Sequence, residues 1–256
     1  MMELLSIVPG VTPEGFLFLG TLPFFTSIFG MLAGQGGGIL LLAGLSVFLP
    51  PAATIPIHGV IQLGTGAGRV VTLRKYLIAR VVPVFVLGAA IGAAVGGKVF
   101  MLMPTAAVQA FLALFILYAC WGPNLASPSL SQAKFGLLGL CASFLGMFVG
   151  AAGVLIAPFV KAASPDRRNH TATLSALMST THVFKLLVFG FFGFTFGPYI
   201  PLLAVMLLAG LIGNYVGRLI LDRMDEKVFT RIFQVVCTML ALRILYLALD
   251  HWGVFS

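Results

Sequence analysis

The chain has 256 residues, of which 60% are apolar and 9% charged, and its mean hydropathy is +1.10. A soluble domain carries roughly 25% charged residues, so a soluble enzyme, a DNA-binding module and a disulfide-stapled secreted domain are all excluded. The net charge of +8 would suit nucleic acid in a soluble protein, but in a polytopic membrane chain it reports loops held at the cytoplasmic face.

The first residues, MMELLSIVPG, lack the basic start of a signal peptide. Apolar segments then follow at 15–33, 36–49, 54–73, 76–100 and 104–121. The longest polar linker runs from Gly122 to Lys134, close to the middle of the chain. Beyond it come segments at 135–150, 153–163, 169–193, 198–221 and 227–249. Pro56, Pro104 and Pro198 fall near the predicted helix starts, where a missing N–H costs nothing. A hydrocarbon core about 30 Å thick needs about 20 apolar residues per helical span. Segment 153–163 would reach only about 16 Å as a helix, which suits a half-membrane element. The three cysteines, Cys120, Cys141 and Cys237, lie in apolar stretches without CxxC or Cys/His spacing and read as packing residues.

The two halves resemble each other. GMLAGQGGGILL at 30–41 aligns with GMFVGAAGVLIA at 146–157, an offset of 116, and the same offset pairs Thr65 with Thr181 and Arg69 with Lys185. GAAIGAAVG at 88–96 aligns with AGLIGNYVG at 209–217, an offset of 121. This pattern predicts an all-α polytopic membrane protein with a first transmembrane repeat at 1–121, a linker at 122–134 and a second repeat at 135–256. Duplicated halves of this kind point to a transporter.

Twelve of the fifteen cations lie outside the spans. Four plain spans per half would divide them 4:8. A broken-helix or re-entrant hairpin plus three spans per half leaves Lys98 alone on one side and eleven cations on the other, as the positive-inside rule requires. That arrangement makes the repeats inverted and both termini extracytoplasmic, in a multi-pass protein of the cell (inner) membrane.

Gly34, Gln35, Gly36, Gly37 and Gly38 are the sharpest local feature. Each glycine in a helix interior costs about 1 kcal/mol relative to alanine, so the backbone is expected to break here. The next helix would present unpaired N–H groups, which favour an anion. Gly150, Ala151, Ala152 and Gly153 form the second copy, followed by Pro158. The alternative reading is that such glycines only permit close helix packing, as expected for Gly88/Gly92/Gly96 and Gly213/Gly217.

His58, Gln62, Thr65 and Arg69 line one helical face. Thr171, Ser175, Ser179 and His182 line another, with Thr181 and Lys185 beside it. Polar groups are costly against lipid, so both stripes should face protein or a water-filled path. Arg69 could also snorkel toward Arg74, and each histidine could be a packing residue. Arg243 and His170 read as interfacial. All seven carboxylates fall in termini, loops or span ends. The embedded ionisable groups are therefore cationic or imidazole, which argues for an anionic substrate.

At these residues the chain resembles the TauE/SafE sulfite exporter family, also called the toluenesulfonate uptake permease family. The resemblance rests on Gly30, Gly34, Gly36, Gly37 and Gly38, repeated as Gly146, Gly150, Gly153 and Pro158, and on the small-residue ladder at 88–96. It implies a membrane transporter of sulfite, sulfonates or related sulfur compounds. Taken with the residues, the expected function is secondary transport of a small sulfur-containing anion, held by Arg69 and Lys185, the hydroxyls of Thr65, Ser179 and Thr181, and the N–H groups of 36–38. His58 or His182 would couple a proton, since an imidazole titrates near neutral pH. A passive anion channel and a membrane-embedded redox component are the alternatives. No HxxH, HExxH or CxxC occurs, so the chain reads as a non-enzyme without cofactor or metal. Its expected partners are the anion and the lipid bilayer, not nucleic acid, and a homo-oligomer is left open.

Overall fold

The computed structural model describes residues 8–33, 36–122, 131–150, 152–220 and 226–252. Among them there are ten α-helices and no strand: α1 (Pro13–Ala33), α2 (Gly36–Phe48), α3 (Pro51–Thr72), α4 (Val82–Leu102), α5 (Thr105–Trp121), α6 (Lys134–Val149), α7 (Gly153–Ala163), α8 (Arg167–Phe191), α9 (Ile200–Ile220) and α10 (Glu226–His251). Each predicted apolar segment corresponds to one helix. Among the described residues, four stretches are long and apolar enough to cross a bilayer: 79–102, 168–191, 197–217 and 234–251. The short apolar helices are α2, α5, α6 and α7. Leu87, Ile91, Phe191, Leu208 and Leu219 are exposed on these helices, as expected where the surrounding solvent is lipid rather than water. The chain is thus an all-α polytopic membrane protein.

Proline and capping chemistry fix several boundaries. Pro104 stands just before α5 as its capping residue, and Pro198 lies in a 3-10 turn before α9. Pro56, expected near a helix start, lies inside α3, which begins at Pro51. Asp166 caps α8 by accepting from the backbone N–H groups of Arg168 (2.7 Å) and Asn169 (2.9 Å).

The largest boundary difference is at 76–81, expected as helix. Two 3-10 turns, Arg74–Tyr76 and Ala79–Val81, occupy this stretch instead. Its polar groups are satisfied by the start of α8: Ile78 N–H donates to Thr173 Oγ1 (3.0 Å), and Asn169 Nδ2 donates to the Tyr76 carbonyl (2.7 Å). Arg168 donates to Tyr76 Oη (2.9 Å) and stacks over its ring.

The chain divides into two compact units. One comprises residues 1–61, 104–122 and 193–256, and the other 62–103 and 123–192. In the first, α1 packs along α9 and α5 along α10. Its core gathers Phe16, Leu19, Leu41, Leu45, Ile57, Leu202 and Met206. In the second, α4 packs along α6 and α8, around Phe85, Ala89, Phe135, Ala142, Ile156 and Leu177.

The glycine ladders explain both pairings. A methyl group added at Gly92 would stand 2.9 Å from Leu140 Cα, and one at Gly213 would stand 2.9 Å from Phe24 Cα. Neither position has room for a side chain, so the backbones touch directly, as in small-residue packing between membrane helices. The offset of 121 carries Gly92 to Gly213, and the offset of 116 carries Phe24 to Leu140. One contact therefore occurs twice, once in each unit.

Candidate functional site

The first unit contains the break between α1 and α2. Gly34 and Gln35 lie outside the described residues. Gly36, Gly37 and Gly38 form the first turn of α2, whose leading N–H groups have no intrahelical acceptor. Gly37 has a packing reason to be glycine. A methyl group there would stand 2.6 Å from Gly30 N and 2.7 Å from Gly30 Cα. His58 on α3 is fully buried, at 0% exposure, and its Nε2–H donates to the Gly38 carbonyl at 3.0 Å. A carbonyl can only accept, so this bond fixes a proton on Nε2. A segment 20 residues downstream thus ties down the start of α2.

The second unit contains the break between α6 and α7. Gly150 ends α6 with φ +68°, a left-handed conformation that glycine adopts without steric cost. Its N–H donates to the Gly146 carbonyl at 3.1 Å. Ala151 lies outside the described residues. Ala152 precedes α7 and offers no side-chain cap, and Gly153 is the first residue of that helix. Lys185 on α8 is 1% exposed, and its Nζ donates to the Gly150 carbonyl at 2.7 Å. The ammonium is therefore not snorkelling. It is fixed at the helix break by a carbonyl dipole.

The other expected site residues fall as follows. Thr65 is buried, Gln62 and Ser179 are partly exposed, and the side chain of Arg69 lies outside the described residues. Thr181 and His182 are buried on α8. Thr181, expected as a donor to an anion, gives its hydroxyl hydrogen to the Met178 carbonyl at 2.8 Å. The structure thus brings His58 to Gly38 and Lys185 to Gly150, each within its own unit.

Ser143 escapes the sequence reading. It is buried on α6, and its Oγ has no hydrogen-bond partner among the described residues. It lies seven residues before Gly150, two turns along the same helix face. A single serine in an apolar segment carries no sequence signal of this kind.

Burying an ammonium beside a carbonyl rather than a carboxylate is costly. In membrane helices such groups mark ion and substrate pathways. Helices of membrane-crossing length, a broken backbone and a buried lysine belong to a polytopic membrane protein. A family model described as Sulfite exporter TauE/SafE matches residues 19–244, and the chain belongs to that family of membrane transport proteins. Neither a curated relative nor a solved structure matches the chain.

Proposed function

We propose that the protein is a secondary carrier moving a small sulfur-containing oxyanion, such as sulfite, a sulfonate or a related organosulfur anion, across the cell (inner) membrane. The observation that carries this reading is Lys185. An ammonium at 1% exposure donates to the Gly150 carbonyl at 2.7 Å, beside the uncapped start of α7. An ammonium carries three N–H groups, so the bond to Gly150 leaves capacity for an oxyanion. The first N–H groups of α7 would add fixed partial positive charge.

The same chemistry extends to the rest of the expected site. In the first repeat the N–H groups of Gly36, Gly37 and Gly38 would supply a helix start, and Arg69 would match Lys185 by the 116-residue offset. Thr65 and Ser179 would add hydroxyl donors. His58 and His182 are the groups through which a proton would couple to anion movement. Two observations support two repeats: the order of elements is the same in 13–121 and 134–251, and the Gly92–Leu140 contact recurs as Gly213–Phe24. The inverted topology, with both termini extracytoplasmic, rests on the distribution of loop cations.

Flux into proteoliposomes tests the reading. Radiolabelled sulfite should accumulate against its gradient in wild-type vesicles, which a passive channel cannot achieve. Charge-assisted hydrogen bonds contribute about 1.5–3 kcal/mol, so Lys185→Ala should lower flux at subsaturating sulfite by about 10–100-fold. Lys185→Arg should retain most of it. Wild-type flux from well-folded Lys185→Ala protein would sink the assignment.

A further inference from the structure

Cys120 and Cys237 are 117 residues apart in the chain and belong to different sequence halves. Taken separately in the sequence they read as packing residues, yet the structure brings them together. Both are buried, and the packing of α5 along α10 in the first unit sets them against each other.

The contact is held in register by its surroundings. Gln234 Nε2 donates to the Cys120 carbonyl at 2.8 Å, three residues before Cys237. Trp121 Nε1 donates to Thr238 Oγ1 at 2.8 Å, one residue beyond each cysteine. Thr238 in turn donates to the Gln234 carbonyl at 2.6 Å. At the far end of the pair, His251 Nδ1 lies 3.1 Å from Gln109 Oε1. These contacts make α5 and α10 antiparallel and fix their relative slide. The two sulfurs sit near one end of the pair, Cys120 one residue before α5 ends and Cys237 three residues into the apolar stretch 234–251.

A disulfide needs two Cβ atoms about 3.5–4.5 Å apart and pointing toward each other. Two buried cysteines on helices locked in register by the flanking Gln234 and Trp121 bonds are held toward that condition. We propose that Cys120 and Cys237 form a reversible dithiol/disulfide site that staples α5 to α10. On oxidation the two Sγ atoms lose two protons and two electrons and become joined. A peroxide oxidant accepts both and leaves as two waters, or a small disulfide accepts both and leaves as two thiols. Attack by an external thiolate reopens the bond through a mixed disulfide. The staple covalently links the two sequence halves. Cys141, exposed on α6 in the other unit, takes no part and serves as an internal control.

Thiol counting on the purified full chain tests this. Cys141→Ser protein in detergent is treated with hydrogen peroxide or diamide, quenched, denatured and labelled with a maleimide polymer. Two labels are expected before oxidation and none after, with the protein still monomeric on a non-reducing gel. Dithiothreitol should restore both labels. Cys141→Ser/Cys237→Ser protein under the same treatment should keep its single label. Because the first measurement uses both native cysteines, it does not depend on the variant at Cys237 folding. Two labels persisting after oxidation, or loss of label only through covalent dimers, would overturn the proposal.

Discussion

The two helix breaks lie at positions related by the 116-residue sequence offset, and they differ in what holds them. At the first, Gly37 is pressed onto the Gly30 backbone, and an imidazole N–H from His58 secures the start of α2. At the second, a methyl group added at Gly146 would meet Ala152 Cβ at 3.5 Å, the same distance at which one added at the matching Gly30 would meet Gly37 Cα. There an ammonium does the securing, and it grips the end of α6 rather than the start of the next helix. The first break is held by an imidazole at the start of the following helix, and the second by a lysine at the end of the preceding one. Similar glycine patterns therefore interrupt both helices while different side chains hold the interruptions.

The sharpest way to break this comparison is to remove the charge. Lys185→Met should raise thermal stability in anion-free detergent, because a buried ammonium with only a dipole partner is replaced by an apolar side chain. With sulfite present the order should reverse. At a hundredfold excess over the dissociation constant, a bound ligand stabilises by about 2.7 kcal/mol, and only the wild type should gain it. A sulfite-dependent shift retained in Lys185→Met would remove the functional distinction between the joints.

Packing gives the next largest contrast. Gly37→Ala should destabilise by about 1–3 kcal/mol, as overpacking does when the obstructing atoms are backbone. Gly146→Ala should fall within about 0.5 kcal/mol of wild type or gain from better helix propensity. Thermal midpoints in detergent measure both, and equal losses would show that Gly146 is packed as closely as Gly37.

The smallest effect concerns the imidazole donor. His58→Leu should lose about 1 kcal/mol, the value of one hydrogen bond, and, because His58 positions the helix start proposed to face the anion, the loss should be larger with sulfite present. A loss that is the same with and without sulfite would take the first joint out of the anion path.

Ten helices were legible as ten apolar segments because lipid-facing and buried faces are both apolar, leaving turns as the only interruptions. The stretch 76–81 misled because it is apolar too, and its departure from helix depends on donors and acceptors from α8, more than 90 residues away. The ladder at Gly88, Gly92 and Gly96 was legible as a packing surface from its spacing of four, but its partner, the Gly136–Phe144 backbone, was not. The depth of Lys185 in the chain announced an embedded cation. Its carbonyl partner required knowing that Gly150 ends a helix with positive φ. The Cys120–Cys237 contact has no local pattern at all and arises only from the pairing of α5 with α10.

The pairing of α1 with α9 also sets an order of events during synthesis. Ile200 lies 167 residues beyond Ala33, whereas Lys134 lies 32 residues beyond Leu102. At about 5–20 residues per second, α4 waits about 2–6 s for α6 to emerge, but α1 waits about 10–30 s for α9. Throughout that interval the glycine-bearing partner that will cover the Phe24 backbone does not exist, and α1 is a newly inserted helix without its final neighbour. The unit formed by 62–103 and 123–192 is therefore expected to assemble first, and the protein's vulnerability to misassembly is concentrated in its oldest segment.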